Sequence, residues 1–307
     1  MTGLPPDVAS TCVTVGTFDG VHLGHREVLD RLDRRARAAG LKAALVTFEP
    51  HPLEVVNPAA APQRLTVADE KAEVLATCPI DYVVVLPFTH DLAAYSAEQF
   101  VEEVLIKRVR MRELLIGHDH GFGKNRGGNV DVLQRLASRH GFGMEILEPV
   151  GADPRHPYSS SAIRRAIAGG DLASARAALG RDYSVSGVVA PGAGRGRSLG
   201  FRTINLAPVS PRKLLPPEGV YAVRVHTPSG AFGGMMNLGP RPTFNDPAPS
   251  LEAHLFDADV ELYGKHVRIE LVVRLRETRR FSSPAALAAQ LRRDDIAARD
   301  ALRGAGR

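Results

Sequence analysis

Near the N-terminus the run Gly16-Thr17-Phe18-Asp19-Gly20-Val21-His22-Leu23-Gly24-His25 carries residue types that could bind a phosphate. A β-branched run precedes it, and a helical pattern with Leu29, Leu32 and Ala36 on one face follows. Strand, glycine turn and helix start make a cradle for an anion, because the first helical turn offers unpaired N–H groups and a partial positive charge. Gly16 and Gly24 allow close backbone approach, Phe18 sits within the turn, and the imidazoles of His22 and His25 can donate to phosphate oxygens. The same residues also fit a glycine turn with two surface histidines, or a metal-binding pair. Further along, Ser160 and Ser161 stand at a helix start with Arg164 one turn on, which taken alone is a helix cap with an exposed arginine. Gly187, Gly192, Gly194, Gly196 and Gly200 lead into Phe201-Arg202-Thr203-Ile204-Asn205-Leu206. Thr203 and Asn205, two apart on an extended segment, point to one side and could share a metal, or could simply face water on a hairpin strand. Glu252, in Glu252-Ala253-His254, reads by itself as an exposed strand glutamate.

The elements that would position these residues fall into two halves. In the first, strand-like runs at Cys12–Gly16, Leu41–Phe48, Tyr82–Pro87, Glu113–Gly117 and Met144–Glu148 alternate with amphipathic segments, one carrying Phe100, Val104 and Lys107 behind a capping box of Ser96 and Gln99. This predicts a parallel sheet covered by helices on both faces, a Rossmann-like α/β domain. Helical patterns at 160–168 and 171–179 close on Gly169–Gly170 and Gly180, after which the rhythm changes. Apolar residues then alternate (Val185, Gly187, Val189; Val223, Val225; Val267, Ile269, Leu271, Val273) between turns rich in glycine and proline. A small antiparallel barrel follows from that pattern, with one terminal helix packed on it through Leu287, Leu291 and Ile296. The expected domains are 1–182 and 183–307.

Composition narrows the partners. The 307 residues suit two ordinary domains, and 29 Gly with 22 Pro make the chain loop-rich without marking it as disordered. Two cysteines far apart argue against a disulfide framework or cysteine zinc site and favour a reducing compartment, so the expected location is cytoplasmic. No stretch approaches the roughly 20 apolar residues of a membrane span, and the first eleven residues lack signal-peptide features. From Ser184 onward, 18 basic and 11 acidic residues give a net +7, but the arginines are scattered and barely interleaved with aromatics. Small phosphorylated molecules, rather than nucleic acid or membrane, are therefore the expected partners; the sequence leaves the oligomeric state open.

The His-x-Gly-His turn resembles that of nucleotidyltransferases, and further segments make the chain similar to the bacterial bifunctional riboflavin kinase/FAD synthetase family. Thr47-Phe48-Glu49-Pro50-His51-Pro52 resembles its T-F-x-P-H-P stretch, 117–128 its G-x-D-F-x-F-G-x-x-R-x-G loop, and Ser159-Ser160-Ser161-Ala162-Ile163-Arg164 its S-S-T-x-I-R motif. In the second half, 200–205 resembles G-F-P-T-A-N, and Gly219-Val220-Tyr221, Asn237 to Phe244 and Leu262-Tyr263-Gly264 follow in family order. The resemblance runs from about residue 11 to about residue 300.

It implies an N-terminal FMN adenylyltransferase and a C-terminal riboflavin kinase, with ATP as co-substrate, Mg²⁺ as cofactor, and riboflavin, FMN and FAD as substrates and products. His22 and His25 would stabilise charge growing on the α-phosphate, while Ser160, Ser161 and Arg164 would hold the leaving pyrophosphate. Asp119, Asn125 and Arg126 would contact substrate, and Phe122 would stack on the flavin. Gly200 would admit the nucleotide, Thr203 and Asn205 would hold its magnesium, and Glu252 would be the general base. His120, Ser161, Arg202 and Ile204 stand where the family has phenylalanine, threonine, proline and alanine. Two alternatives follow: an FAD synthetase whose kinase half is degenerate or tuned to a flavin analogue, and a non-catalytic flavin-binding regulatory protein.

Overall fold

The computed structural model describes residues 4–117, 123, 128–148, 158–191, 201, 203–207, 209–240 and 249–304. The chain divides into two compact units, Met1–Pro62 with Lys71–Ser159 and Gln63–Glu70 with Ser160–Arg307. In the first, β1 (Thr11–Val15) is followed by α1 (Leu23–Ala38), β2 (Lys42–Glu49), α2 (Pro52–Val56), α3 (Ala68–Leu75, of which the part from Lys71 belongs to this unit), β3 (Tyr82–Pro87), α4 (His90–Ala94) and α5 (Ala97–Gln99). A π turn (Phe100–Ile106), β4 (Met111–Gly117), α6 (Val130–His140) and β5 (Gly143–Leu147) complete it. The five strands form a parallel sheet in the order β3-β2-β1-β4-β5. As expected from the near-continuous apolar runs, both faces are covered. Cys12, Leu45 and Leu115 pack with Leu29, Leu32 and Ala36 of α1, and their strand neighbours Val13, Val46 and Leu114 pack with Phe100, Val104 and Leu133.

Local signals hold where backbone chemistry fixes them. The Ser96 hydroxyl accepts from Gln99 N at 3.1 Å, and the Gln99 side chain accepts from Ser96 N at 2.9 Å. Lys107 departs from the expected face. The π turn is wider than an α turn, so Val104 and Leu105 are both buried while Lys107 turns outward to pair with Glu103.

The second unit holds α7 (Ser160–Ala168), α8 (Leu172–Leu179), β6 (Tyr183–Ala190), β7 (Thr203–Leu206), β8 (Gly219–Thr227), β9 (Gly230–Pro240), β10 (Pro249–Leu255), β11 (His266–Arg276) and α9 (Pro284–Gly304). Its described strands close into an antiparallel barrel in the order β10-β7-β6-β11-β8-β9. Val185, Val189, Val223, Val225, Val267, Ile269 and Leu271 point inward as their alternation requires. Val273 does not, being 39% exposed, because the β11–β8 register shifts between Leu271 and Val273 and reverses the alternation.

The terminal helix packs as expected and Leu291 is among the residues that seat it, but Ile296 is not. Leu291 is partly buried beside Ala298, which packs with Ala222, Met235 and Phe256, whereas Ile296 is 61% exposed. The inward stripe includes Gln290 and Asp294, polar residues that an apolar pattern overlooks, with Arg276 donating to both oxygens of Asp294. Segment 63–70 supplies Leu65 to the core of this unit and Glu70 to a buried ion pair with Lys213 at 2.7 Å. Among the described residues no helix is long and apolar enough to cross a membrane.

Candidate active sites

The phosphate turn leaves β1 at Gly16, whose N–H donates to Val46 O at 3.0 Å. A β-carbon on Gly16 would lie 2.9 Å from the Phe18 ring, so glycine is needed here for the ring to fold back. Phe18 (φ 47°), Gly20 (φ 83°) and Val21 (φ 40°) all adopt left-handed backbone. For a bulky and a β-branched residue this costs on the order of 1–3 kcal/mol each. Burial holds them in place: Phe18 and Val21 sit in the core cluster beneath α1.

Beyond them His22 is the N-cap of α1, its Nδ1 accepting from His25 N at 3.3 Å. In the neutral ring that acceptor role puts the proton on Nε2, which is then a donor. The His22 and His25 rings stack at 3.7 Å, and Phe18 lies 4.6 Å from His25. Gly24 permits the stack, since a β-carbon there would meet the His22 ring at 3.2 Å. The structure thus gathers Gly16, Phe18, His22, Gly24 and His25 at one helix start.

Sequence reasoning missed the residue behind this turn. The ammonium of Lys71, on α3, lies 3.3 Å from Thr47 Oγ1, 3.3 Å from Phe48 O and 3.5 Å from Thr17 O. A lysine in an amphipathic helix gives no signal that it is buried. His51, at the end of the T-F-x-P-H-P stretch, caps α2 by accepting from Leu53 N. Cys12 is no nucleophile: burial pushes its thiol up to about 12, leaving it protonated at neutral pH.

Ser160, Ser161 and Arg164 lie in the second unit, on the first turns of α7, where Ile163 and Ile167 face the core. Arg164 Nε donates to Gln63 O at 2.9 Å, which fixes the plane of its guanidinium. Asp119, Phe122, Asn125, Arg126 and Gly200, with His120 and Arg202, lie outside the described residues.

On the barrel, β10 runs between β7 and β9, and the register sets Glu252 opposite Asn205 on one side and Asn237 on the other. Leu251 and Ala253 face the core, so Glu252 and His254 face outward, as do Thr203 and Asn205. The Thr203 hydroxyl donates to Glu252 Oε1 at 2.6 Å. Ile204 lies on the other face and packs against the barrel core. Beside Thr203 opens a cavity of about 350 Å³, lined by apolar Val189, Leu255, Val260, Leu262 and Tyr263 together with His254, Asp257, Asp259 and Glu261. Asp257 is held below the usual carboxylate range by Arg299, which donates to both its oxygens.

Residues 5–162 match the family model for FAD synthetase, and residues 179–302 that for riboflavin kinase. The bifunctional riboflavin kinase/FMN adenylyltransferase of Escherichia coli K12 is 38% identical over 94% of this chain and 92% of its own length. The same-named proteins of Haemophilus influenzae and Pseudomonas fluorescens are 38% and 36% identical, over 92% and 96% of this chain and 91% and 94% of theirs. A crystal structure described as a macrolide-efflux protein from Streptococcus pneumoniae shares the fold with a TM-score of 0.84 and 28% identity, over 97% of this chain and 95% of that one. With both family models matched in chain order and these identities held along nearly its whole length, the chain belongs to the bifunctional riboflavin kinase/FMN adenylyltransferase family.

Proposed function

We propose that this chain makes FAD in two steps, phosphorylating riboflavin to FMN on the barrel and adenylylating FMN at the His-x-Gly-His turn, with ATP serving both. The observation that carries the kinase assignment is the Thr203–Glu252 hydrogen bond at 2.6 Å opposite Asn205. Glu252 is the general base. One carboxylate oxygen is occupied by the Thr203 hydroxyl and the other accepts the proton of the riboflavin 5′-hydroxyl as that oxygen attacks the γ-phosphorus, ADP leaving. The Thr203 hydroxyl donates its hydrogen bond to Glu252, so its oxygen lone pairs and the Asn205 carbonyl form a hard-oxygen pair that suits Mg²⁺. When bound, the ion neutralises phosphate charge.

In the adenylylation step, an oxygen of the FMN phosphate attacks the α-phosphorus of ATP and pyrophosphate departs. His22 and His25 donate to the α-phosphate oxygens, whose charge grows in the transition state, beside the N–H groups of the α1 start. By the family resemblance, Ser160, Ser161 and Arg164 are assigned to the pyrophosphate, Phe122 to stacking on the flavin, and Asp119, Asn125 and Arg126 to substrate contacts. A chain with only two cysteines, both buried, suits a reducing, cytoplasmic site of action.

The test is to incubate purified protein with ATP, Mg²⁺ and either riboflavin or FMN, then separate the flavins by chromatography. FMN and FAD from riboflavin are expected. FAD from supplied FMN alone selects an adenylyltransferase with a degenerate kinase; no product from either overturns both activities and leaves flavin binding.

A further inference from the structure

We infer that Lys71 is a positioning residue of the adenylylation site, a role that rests on the function just proposed. It is 3% exposed, and a lysine buried to that degree needs partners that repay its desolvation. The described partners come from the phosphate turn and from the C-terminal end of the neighbouring strand β2. Nζ donates toward Thr47 Oγ1 and Phe48 O at 3.3 Å each and toward Thr17 O at 3.5 Å, and the carboxylate of Glu49 lies at 3.9 Å. The Thr47 hydroxyl passes the bond on, donating to Thr17 O at 3.2 Å. Lysine ammonium, Thr47 hydroxyl and Thr17 carbonyl thus form a connected relay in which each bond polarises the next.

The relay has a mechanical consequence. Thr17 immediately precedes the left-handed residues Phe18, Gly20 and Val21, so its carbonyl is the last fixed point before the strained turn. Phe48 O belongs to the end of β2, next to the Glu49-Pro50-His51 stretch. One ammonium therefore pins the start of the turn to the end of the neighbouring strand, and sets a positive charge under the backbone that leads to His22 and His25. Phosphoryl chemistry depends on holding reacting atoms to within about an ångström, and a misplacement of that size can cost on the order of a hundredfold. Lys71 thereby contributes to turnover through the turn, without touching substrate.

The test is steady-state kinetics of Lys71→Met, which keeps length and packing but removes charge and donors. Relative to wild type, FMN adenylylation should fall about tenfold to a hundredfold in kcat with little change in KM for ATP or FMN, and Lys71→Arg should recover part of the loss. Riboflavin phosphorylation should be unchanged. Wild-type adenylylation by a folded Lys71→Met protein overturns the inference, as does a loss confined to KM. Should that variant fail to fold, Thr47→Val breaks the relay at its middle member, and wild-type turnover there overturns it equally. No adenylylation in the unmutated protein refutes the proposed function and this role with it, whereas activity lost only in the variants bears on Lys71 alone.

Discussion

At the scale of single residues, Glu252 and Gly24 show how little chemistry a side chain carries without its neighbours. Glu252 is an unremarkable strand glutamate until the register sets it between Asn205 and Asn237 and the Thr203 hydroxyl bonds to it. Glu252→Gln keeps an acceptor for Thr203 and the same shape, and removes only basicity. Riboflavin phosphorylation should drop about a hundredfold or more in kcat, with FAD formation from supplied FMN unaffected; a coupled ADP assay and flavin chromatography read the two steps separately. Gly24 gives the converse case. Alanine there should favour the helix by up to about 1 kcal/mol, yet its β-carbon would press on the His22 ring from 3.2 Å. Gly24→Ala should therefore melt no lower than wild type while losing about tenfold or more of its adenylylation rate, measured by thermal unfolding and turnover on the same preparation. The histidines, Thr203 and Asn205 were legible in the sequence through residue type and spacing. Lys71 was not, because burial is a tertiary fact, and the strain at Phe18 and Val21 was not, because neither residue type favours positive φ.

Among elements, those specified by a local period were readable, and those decided by a register shift or a polar stripe were not. The parallel strands and α1 follow apolar runs and a 3.6-residue period, and the capping box at Ser96 closes as its spacing demands. Val273 and Ile296 broke their patterns for separate reasons. A register shift in β11 reverses the faces after Leu271, and α9 is seated on the barrel by Leu291, Ala298 and Leu302 together with the polar Gln290 and Asp294, which leaves Ile296 outside. The Arg276 guanidinium and the Asp294 carboxylate form a bidentate pair, with Gln290 also donating to Asp294 at 2.7 Å. Removing Asp294 takes away the carboxylate that part-buried Arg276 and buried Gln290 both donate to. Asp294→Ala should cost about 3 kcal/mol in urea unfolding, while Ile296→Ala should change stability by less than about 0.5 kcal/mol. Equal effects of the two would mean that the Asp294 pair contributes no more to docking than the exposed Ile296.

At the scale of the whole molecule, the sequence places the change of rhythm at Tyr183, whereas the second compact unit also takes in α7, α8 and the segment Gln63–Glu70. The physical reason is visible in Lys213, 3% exposed, whose ammonium meets Glu70 Oε2, Leu65 O and Ser184 O, each at 2.7 Å, and lies 4.3 Å from the Tyr183 ring centroid. Two of those three oxygens come from residues more than a hundred positions upstream, and no periodicity in a linear sequence can announce such a return. Leu65, Ile163, Ile167, Leu172 and Leu179 likewise complete the core around the barrel. We propose that residues 183–307, which contain every described barrel strand and α9, form the kinase domain and fold alone, with reduced stability. A fragment starting at Ser160 restores α7 and α8 but not Glu70, so thermal melts should rank the full chain above the Ser160 fragment and that above the Tyr183 fragment. In both fragments Lys213 lacks its carboxylate, and Lys213→Met should then stabilise the fragments while destabilising the full chain. A Tyr183 fragment without a cooperative melt would move the boundary upstream, and a Lys213→Met change of the same sign in all three proteins would show that the Glu70 pair does not hold the segment in place.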